Sequence, residues 1–103
     1  MLSPRHIALA TLLQIGSTQR EIGLWIDTIS ETPTLPEMTS ILARLPITSQ
    51  RRTKLHTQMA TYEQAQEAVI KMIDRGGDIV LSLDSDFPEA LSLADHLHIF
   101  WIR

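Results

Sequence analysis

The sequence predicts a mainly helical chain that closes with two short strands. Helix-start signals recur at short intervals (Ser3-Pro4, Thr18 with Glu21, Thr34 with Glu37, Thr48-Ser49, Thr61-Tyr62), each ahead of apolar residues at three- and four-residue spacing. After Gly76-Gly77 the period changes to short, β-branched runs at Ile79 to Leu83 and Leu97 to Ile102. The 103 residues are 44% apolar and 20% charged, an ordinary globular balance that excludes a disordered chain and a large multidomain enzyme.

The first helix is expected over about 4–15, with Ser3 as cap, Pro4 where a missing N–H costs nothing, Ile7, Leu9, Leu12, Leu13 and Ile15 as apolar face, and Gly16 as stop. Thr18 and Glu21 form a capping box for a second helix carrying Ile22, Trp25, Ile26 and Ile29 inward. Ser30 to Pro36, with two prolines, reads as a connection, and Thr34 with Glu37 as another capping box. The third helix, expected over about 36–45, groups Met38, Ile41, Leu42 and Leu45 and ends before Pro46. Thr48 or Ser49 opens a fourth, crowded by Arg51, Arg52, Lys54 and His56, with Leu55 and Met59 as almost its only apolar anchors. Thr61-Tyr62-Glu63-Gln64 caps a fifth, with Ala65, Val69, Met72 and Ile73 at helical spacing and a stop at Arg75-Gly76-Gly77. The unbroken apolar run of Ile79 to Leu83 is that of a strand buried on both faces, which calls for more sheet than these residues supply.

Gly16-Ser17-Thr18-Gln19-Arg20 and Ile47-Thr48-Ser49-Gln50-Arg51 lie 31 residues apart, each between helices, and Leu24 and Leu55 keep that offset. Two such units describe a helix-hairpin-helix or SAM-like bundle over 1–60. Turns of this kind can offer backbone N–H groups to a nucleic-acid phosphate. Only the first turn has a glycine, and Pro46 in the second has no N–H, so packing turns are the preferred reading.

From Tyr62 onward comes a capped helix ending in glycines, a strand, Asp84-Ser85-Asp86-Phe87-Pro88-Glu89-Ala90-Leu91, then Ala94-Asp95, and a strand ending Phe100-Trp101-Ile102-Arg103. This order resembles the DNA-processing protein A family (DprA or Smf), with Phe87-Pro88 in place of Tyr-Pro, Leu91 as its leucine, Asp86 and Asp95 as its aspartates and Arg103 as its terminal basic residue. The pattern departs at His96 and Leu97, where the family usually has prolines. The resemblance covers 62–103 closely and 7–60 more loosely. It implies that 61–103 begin a Rossmann-like α/β domain, most of which, including the part where single-stranded DNA is mainly bound, is not in this sequence. It also implies a non-enzymatic role: handling single-stranded DNA and loading a RecA-type recombinase in natural transformation and recombination, with this chain as the amino-terminal accessory or docking region.

The residues themselves name no reaction. There is no cysteine, P-loop, dinucleotide glycine motif or Ser-His-Asp ordering, so neither catalytic residues nor a cofactor are expected. His96-x-His98 would place two imidazoles on one strand face without a third ligand, and Asp84-Ser85-Asp86 lacks the glycine and distal glutamate of a calcium loop, so no metal site is expected. Charge is segregated: Met38 to Tyr62 carries +4 through Arg44, Arg51, Arg52 and Lys54, whereas Asp74 to Asp95 carries −5. Gly16 with Arg44, Arg51, Arg52 and Lys54 is therefore the candidate phosphate-contact set, of the weak, salt-sensitive kind. A solvated helix face is preferred, because the chain is acidic overall, at net −3, and no aromatic residue is interleaved with the basic ones. Two rivals to the docking reading remain: an autonomous helix-hairpin-helix DNA-binding module and a SAM-like protein-interaction domain. The absence of cysteine and of any long apolar segment points to the cytoplasm and to no membrane partner. Trp25, the Tyr62 helix and the strand bearing Phe100 and Trp101 are expected to share apolar contacts, and an exposed edge over Ile99 to Ile102 to favour a homodimer.

Overall fold

Ser3 sets the start of the first helix. In the computed structural model, which describes residues 3–81 and 99–102, its extended backbone precedes α1 (Pro4–Gln14). Its hydroxyl accepts from the His6 N–H, and the Ser3 N–H returns a bond to His6 Nδ1, so a histidine completes the capping box. Five consecutive residues of α1, Ala8 to Leu12, are buried. Apolar and small on every side, α1 is the central helix rather than a surface helix with one inward face.

Two glycines end helices by the same device. At the end of α1, Ser17 N–H donates to Leu12 O at 3.0 Å and Gly16 N–H to Leu13 O at 3.1 Å, with Gly16 at φ +115°. At the end of α5 (Tyr62–Asp74), Gly77 N–H donates to Met72 O and Gly76 N–H to Ile73 O, both at 3.0 Å, with Gly76 at φ +95°. These are Schellman closures, which need a residue at positive φ. The glycines differ in surroundings: a Cβ on Gly16 would lie 2.7 Å from Gln58 Oε1, whereas one on Gly76 would meet nothing within 4 Å.

The Thr18–Glu21 box opens α2 (Gln19–Ile26) as expected. At α3 (Leu35–Leu42) only half of the expected box forms. Thr34 Oγ1 accepts from the Glu37 N–H, but the Glu37 carboxylate turns to the Ser30 N–H and hydroxyl and ties down the preceding loop. The helix also stops at Leu42, short of the expected 45. Arg44 N–H and Leu45 N–H bond three residues back, and Arg52 draws the carbonyls of Leu42, Leu45 and Ile47 to itself at 3.2, 2.7 and 3.3 Å. Thr48 caps α4 (Ser49–Gln58), which runs through a 3₁₀ turn (Met59–Thr61) into α5. Thr61 is not the side-chain cap expected of it. Inside that continuous path its hydroxyl donates back to Gln58 O at 2.8 Å.

Strands β1 (Asp78–Leu81) and β2 (Ile99–Ile102) pair antiparallel in the register Asp78–Ile102 to Leu81–Ile99. Ile79, Val80 and Leu81 are all buried, so β1 is covered on both faces. Among the described residues the chain is thus mainly helical with one two-stranded sheet.

The helix pairs α1–α2 and α3–α4 repeat at an offset of 30, one residue less than the sequence echo suggests. The cap threonines Thr18 and Thr48 then coincide, and Ala8/Met38, Thr11/Ile41, Leu12/Leu42, Ile15/Leu45, Trp25/Leu55 and Ile29/Met59 match buried residue to buried residue. One apolar cluster takes in both pairs and runs past 60/61 through Tyr62 and Val69 to Ile79, Leu81 and Ile99. Trp25 and Tyr62 share that cluster as expected; the side chains of Phe100 and Trp101 lie outside the described residues. The Tyr62 hydroxyl shares a hydrogen bond with Thr11, and burial, opposed by that bond, pushes its pKa up to about 12.

Gly16→Ala and Gly76→Ala should each lose about 1–3 kcal/mol from backbone strain, read by urea unfolding. The contact of the new Cβ at 16 is with the amide end of the flexible Gln58 side chain, which can turn aside at little cost, so the two losses should be similar and Gln58→Ala should change neither.

Candidate functional site

The charged and capping groups of the two repeats meet where α2 and α4 begin. Glu21 and Arg51 each stand three residues after their cap threonine, and they bond to each other across the repeat. Arg51 Nη2 donates to Glu21 Oε1 at 2.7 Å and its Nε to Oε2 at 2.8 Å, a two-pronged fit of guanidinium to carboxylate. The same Nη2 reaches Gly16 O at 3.1 Å, so the pair also grips the end of α1.

Glu21 is 5% exposed and surrounded by donors. Its Oε1 accepts from the Thr18 N–H at 2.8 Å and from the Ser17 hydroxyl at 3.3 Å, and Ser17 in turn accepts from the Trp25 indole N–H at 3.3 Å. Burial alone would raise the carboxyl pKa. The hydrogen bond from Arg51, followed by that from Thr18, the charge of Arg51 and the Ser17 bond, outweighs burial and holds Glu21 below its ordinary value. The bond to Glu21 raises Arg51 correspondingly.

This arrangement decides how the candidate phosphate contacts are placed. Gly16 N–H is used by Leu13 O, Ser17 N–H by Leu12 O and Thr18 N–H by Glu21, so each amide of the first turn already has an acceptor. Arg51 is held by Glu21 and Gly16, and Arg52 by the carbonyl of Leu42 at the end of α3 and those of Leu45 and Ile47 in the loop after it. Arg44 is exposed, with a 3.4 Å bond from its Nε to Ser40 O, and Lys54 is exposed on α4. The five residues therefore divide: Gly16, Arg51 and Arg52 are built into the protein, and Arg44 and Lys54 face solvent.

A cleft at the paired helix starts is lined by Arg20, Glu21, Leu24, Ile47 and Arg51. An adjoining groove shares Leu24 and Pro46 and continues to Asp27, Ile41 and Arg44. With Glu21 and Arg51 neutralising one another, the rim carries Arg20 and Arg44 against Asp27. Arg20 is the basic group that the sequence reading left out of its candidate set. No group of three or more metal-ligating side chains occurs among the described residues, and none of their helices is long and apolar enough to cross a membrane. The family-motif positions Asp86, Phe87, Pro88, Leu91, Asp95 and Arg103, with Asp84, His96 and His98, lie outside the described residues.

No family model, curated protein or solved structure matches this chain. The site must accordingly be read from its own chemistry, and that chemistry is one of internal cross-linking: a buried carboxylate, a guanidinium and a turn hold three helix ends together.

Arg51→Ala leaves a buried carboxylate without its counter-ion, whereas Glu21→Gln leaves a guanidinium that is 30% exposed and can turn to water. The first should cost about 3 kcal/mol and the second about 1 kcal/mol in urea unfolding. Because folding lowers the Glu21 pKa from 4.5, the pair's stabilisation is complete above that value and is lost as pH falls through the folded-state pKa. Glu21→Gln should remove that part of the acid sensitivity.

Proposed function

We propose that this chain is the amino-terminal accessory and docking region of a DNA-processing protein of the DprA type. In this reading α1 to α4 form a SAM-like, helix-hairpin-helix-derived bundle, and α5 with β1 and β2 opens a Rossmann-like domain. The antiparallel β1–β2 pair fits the border of a mixed sheet, since it is not itself a parallel crossover unit. The motif order from Tyr62 to Arg103 supports the family. The whole protein would hold single-stranded DNA and load a RecA-type recombinase, without covalent chemistry.

One observation favours docking over DNA contact within this region: Arg51 and Arg52 are turned onto Glu21 and the backbone. An arginine already bonded to a buried carboxylate can meet a phosphate only by abandoning that partner. The exposed groups Arg20, Arg44 and Lys54 supply a few charges, against an overall charge of −3.

Fluorescence anisotropy of a labelled single-stranded oligonucleotide tests this directly. The expected result is no saturable binding by this chain at about 50 mM salt, where phosphate contacts are strongest. Saturable binding that collapses by about 200 mM salt and is lost on changing Arg20, Arg44 and Lys54 to glutamate would favour the autonomous DNA-binding module instead.

A further inference from the structure

Ile99 is held from two sides. β1 pairs with it through Leu81, and on the other side the Gln19 side chain makes two bonds to its backbone: Gln19 Nε2 donates to Ile99 O at 2.8 Å, and Ile99 N–H donates to Gln19 Oε1 at 3.2 Å. A carboxamide carries the donor and acceptor of a peptide unit, so Gln19 meets Ile99 as a residue of a neighbouring strand would. Since both backbone groups of Ile99 turn toward Gln19, Leu81–Ile99 is a non-hydrogen-bonded pair, and alternation makes Trp101 the next position whose backbone turns away from β1.

We propose that Gln19 is an edge guard: among the described residues it takes the outer side of β2 at Ile99 in the manner of a strand, and it keeps β2 from pairing there with β2 of a second copy of this chain. The occupant follows from the strand itself. Ile-Phe-Trp-Ile is uncharged, aromatic and β-branched, without proline or glycine, the composition of segments that pair with themselves. Antiparallel pairing of β2 with β2 joins identical surfaces about a two-fold axis. Stability alone accounts poorly for the contact, because immobilising a glutamine costs much of what two hydrogen bonds return. Gln19 is aimed by the Thr18–Glu21 box that fixes the first turn of α2, and its counterpart at the 30-residue offset is Ser49, too short for such a reach, so the guard is not a by-product of the repeat.

The test compares the wild-type chain with Gln19→Ala, Gln19→Asn and Gln19→Lys by sedimentation velocity over a range of concentrations, with thermal melts to confirm folding. The wild type should sediment as one chain. The shortened Ala and Asn variants should move toward the mass of two chains as concentration rises, and the Lys variant, which puts a charge at the edge, should stay at one. At low concentration the Ile99 amide of the Ala variant should exchange about tenfold faster, the loss of about one net hydrogen bond, and slow again as the dimer forms. The proposal is overturned if the Ala and Asn variants fold and remain single chains, or if the wild type already sediments as two. A loss of the cooperative melt in both shortened variants would also overturn it, making Gln19 a determinant of the fold.

Discussion

A carboxylate buried at 5% exposure must be given donors or it will unfold its surroundings, and Glu21 receives them from four directions. The Thr18 amide fixes the start of α2, the Ser17 hydroxyl connects to the indole of Trp25 in the core, and the two prongs of Arg51 bring in the start of α4. Through Arg51 the same group reaches the carbonyl of Gly16, the residue whose positive φ closes α1. The adjoining Gln19 extends this turn of α2 to β2. Elements 80 residues apart in sequence thus converge on one helix start.

The repeat explains why these residues meet. Two helix pairs at an offset of 30 put the third residue of α2 and the third residue of α4 in corresponding places, and the pair works because those places differ: glutamate in one, arginine in the other. A glutamate in both would set two carboxylates against each other. The arginine at 51 also frees Thr48 to act as a simple cap, with Glu21 serving both helices. Arg52, one residue on, takes the carbonyl of Leu42 that ends α3 and those of Leu45 and Ile47 in the loop after it, tying that loop to α4.

Local chemistry made most of the helical framework legible. Ser3, Thr18, Thr34 and Thr48 cap as expected, and Gly16 and Gly76 close helices as expected, because caps and Schellman turns depend on neighbours a few residues apart. Failures occur where a distant or competing partner decides. Glu37 leaves its own box for Ser30, Thr61 sits in the 3₁₀ turn that carries α4 into α5, and α3 ends early where Arg52 takes the carbonyl of Leu42. The basic cluster of α4 was legible as charge but not as structure. Counting charges cannot show that Arg51 has a buried partner 30 residues away, and the one-residue difference between the sequence echo and the structural repeat hid the correspondence of Glu21 with Arg51.

The most direct test of Glu21 and Arg51 as the linchpin is to exchange them. Urea unfolding of Glu21→Arg, Arg51→Glu and the double exchange would compare the pair with its reversal. If the two helix starts are held by this contact, each single change should be strongly destabilising, and the double exchange should recover well over half of the summed loss, with a glutamate at 51 now placed to box with Thr48. A double exchange as unstable as the sum of the two single changes would contradict the account, showing that Glu21 and Arg51 are held by their surroundings independently of each other.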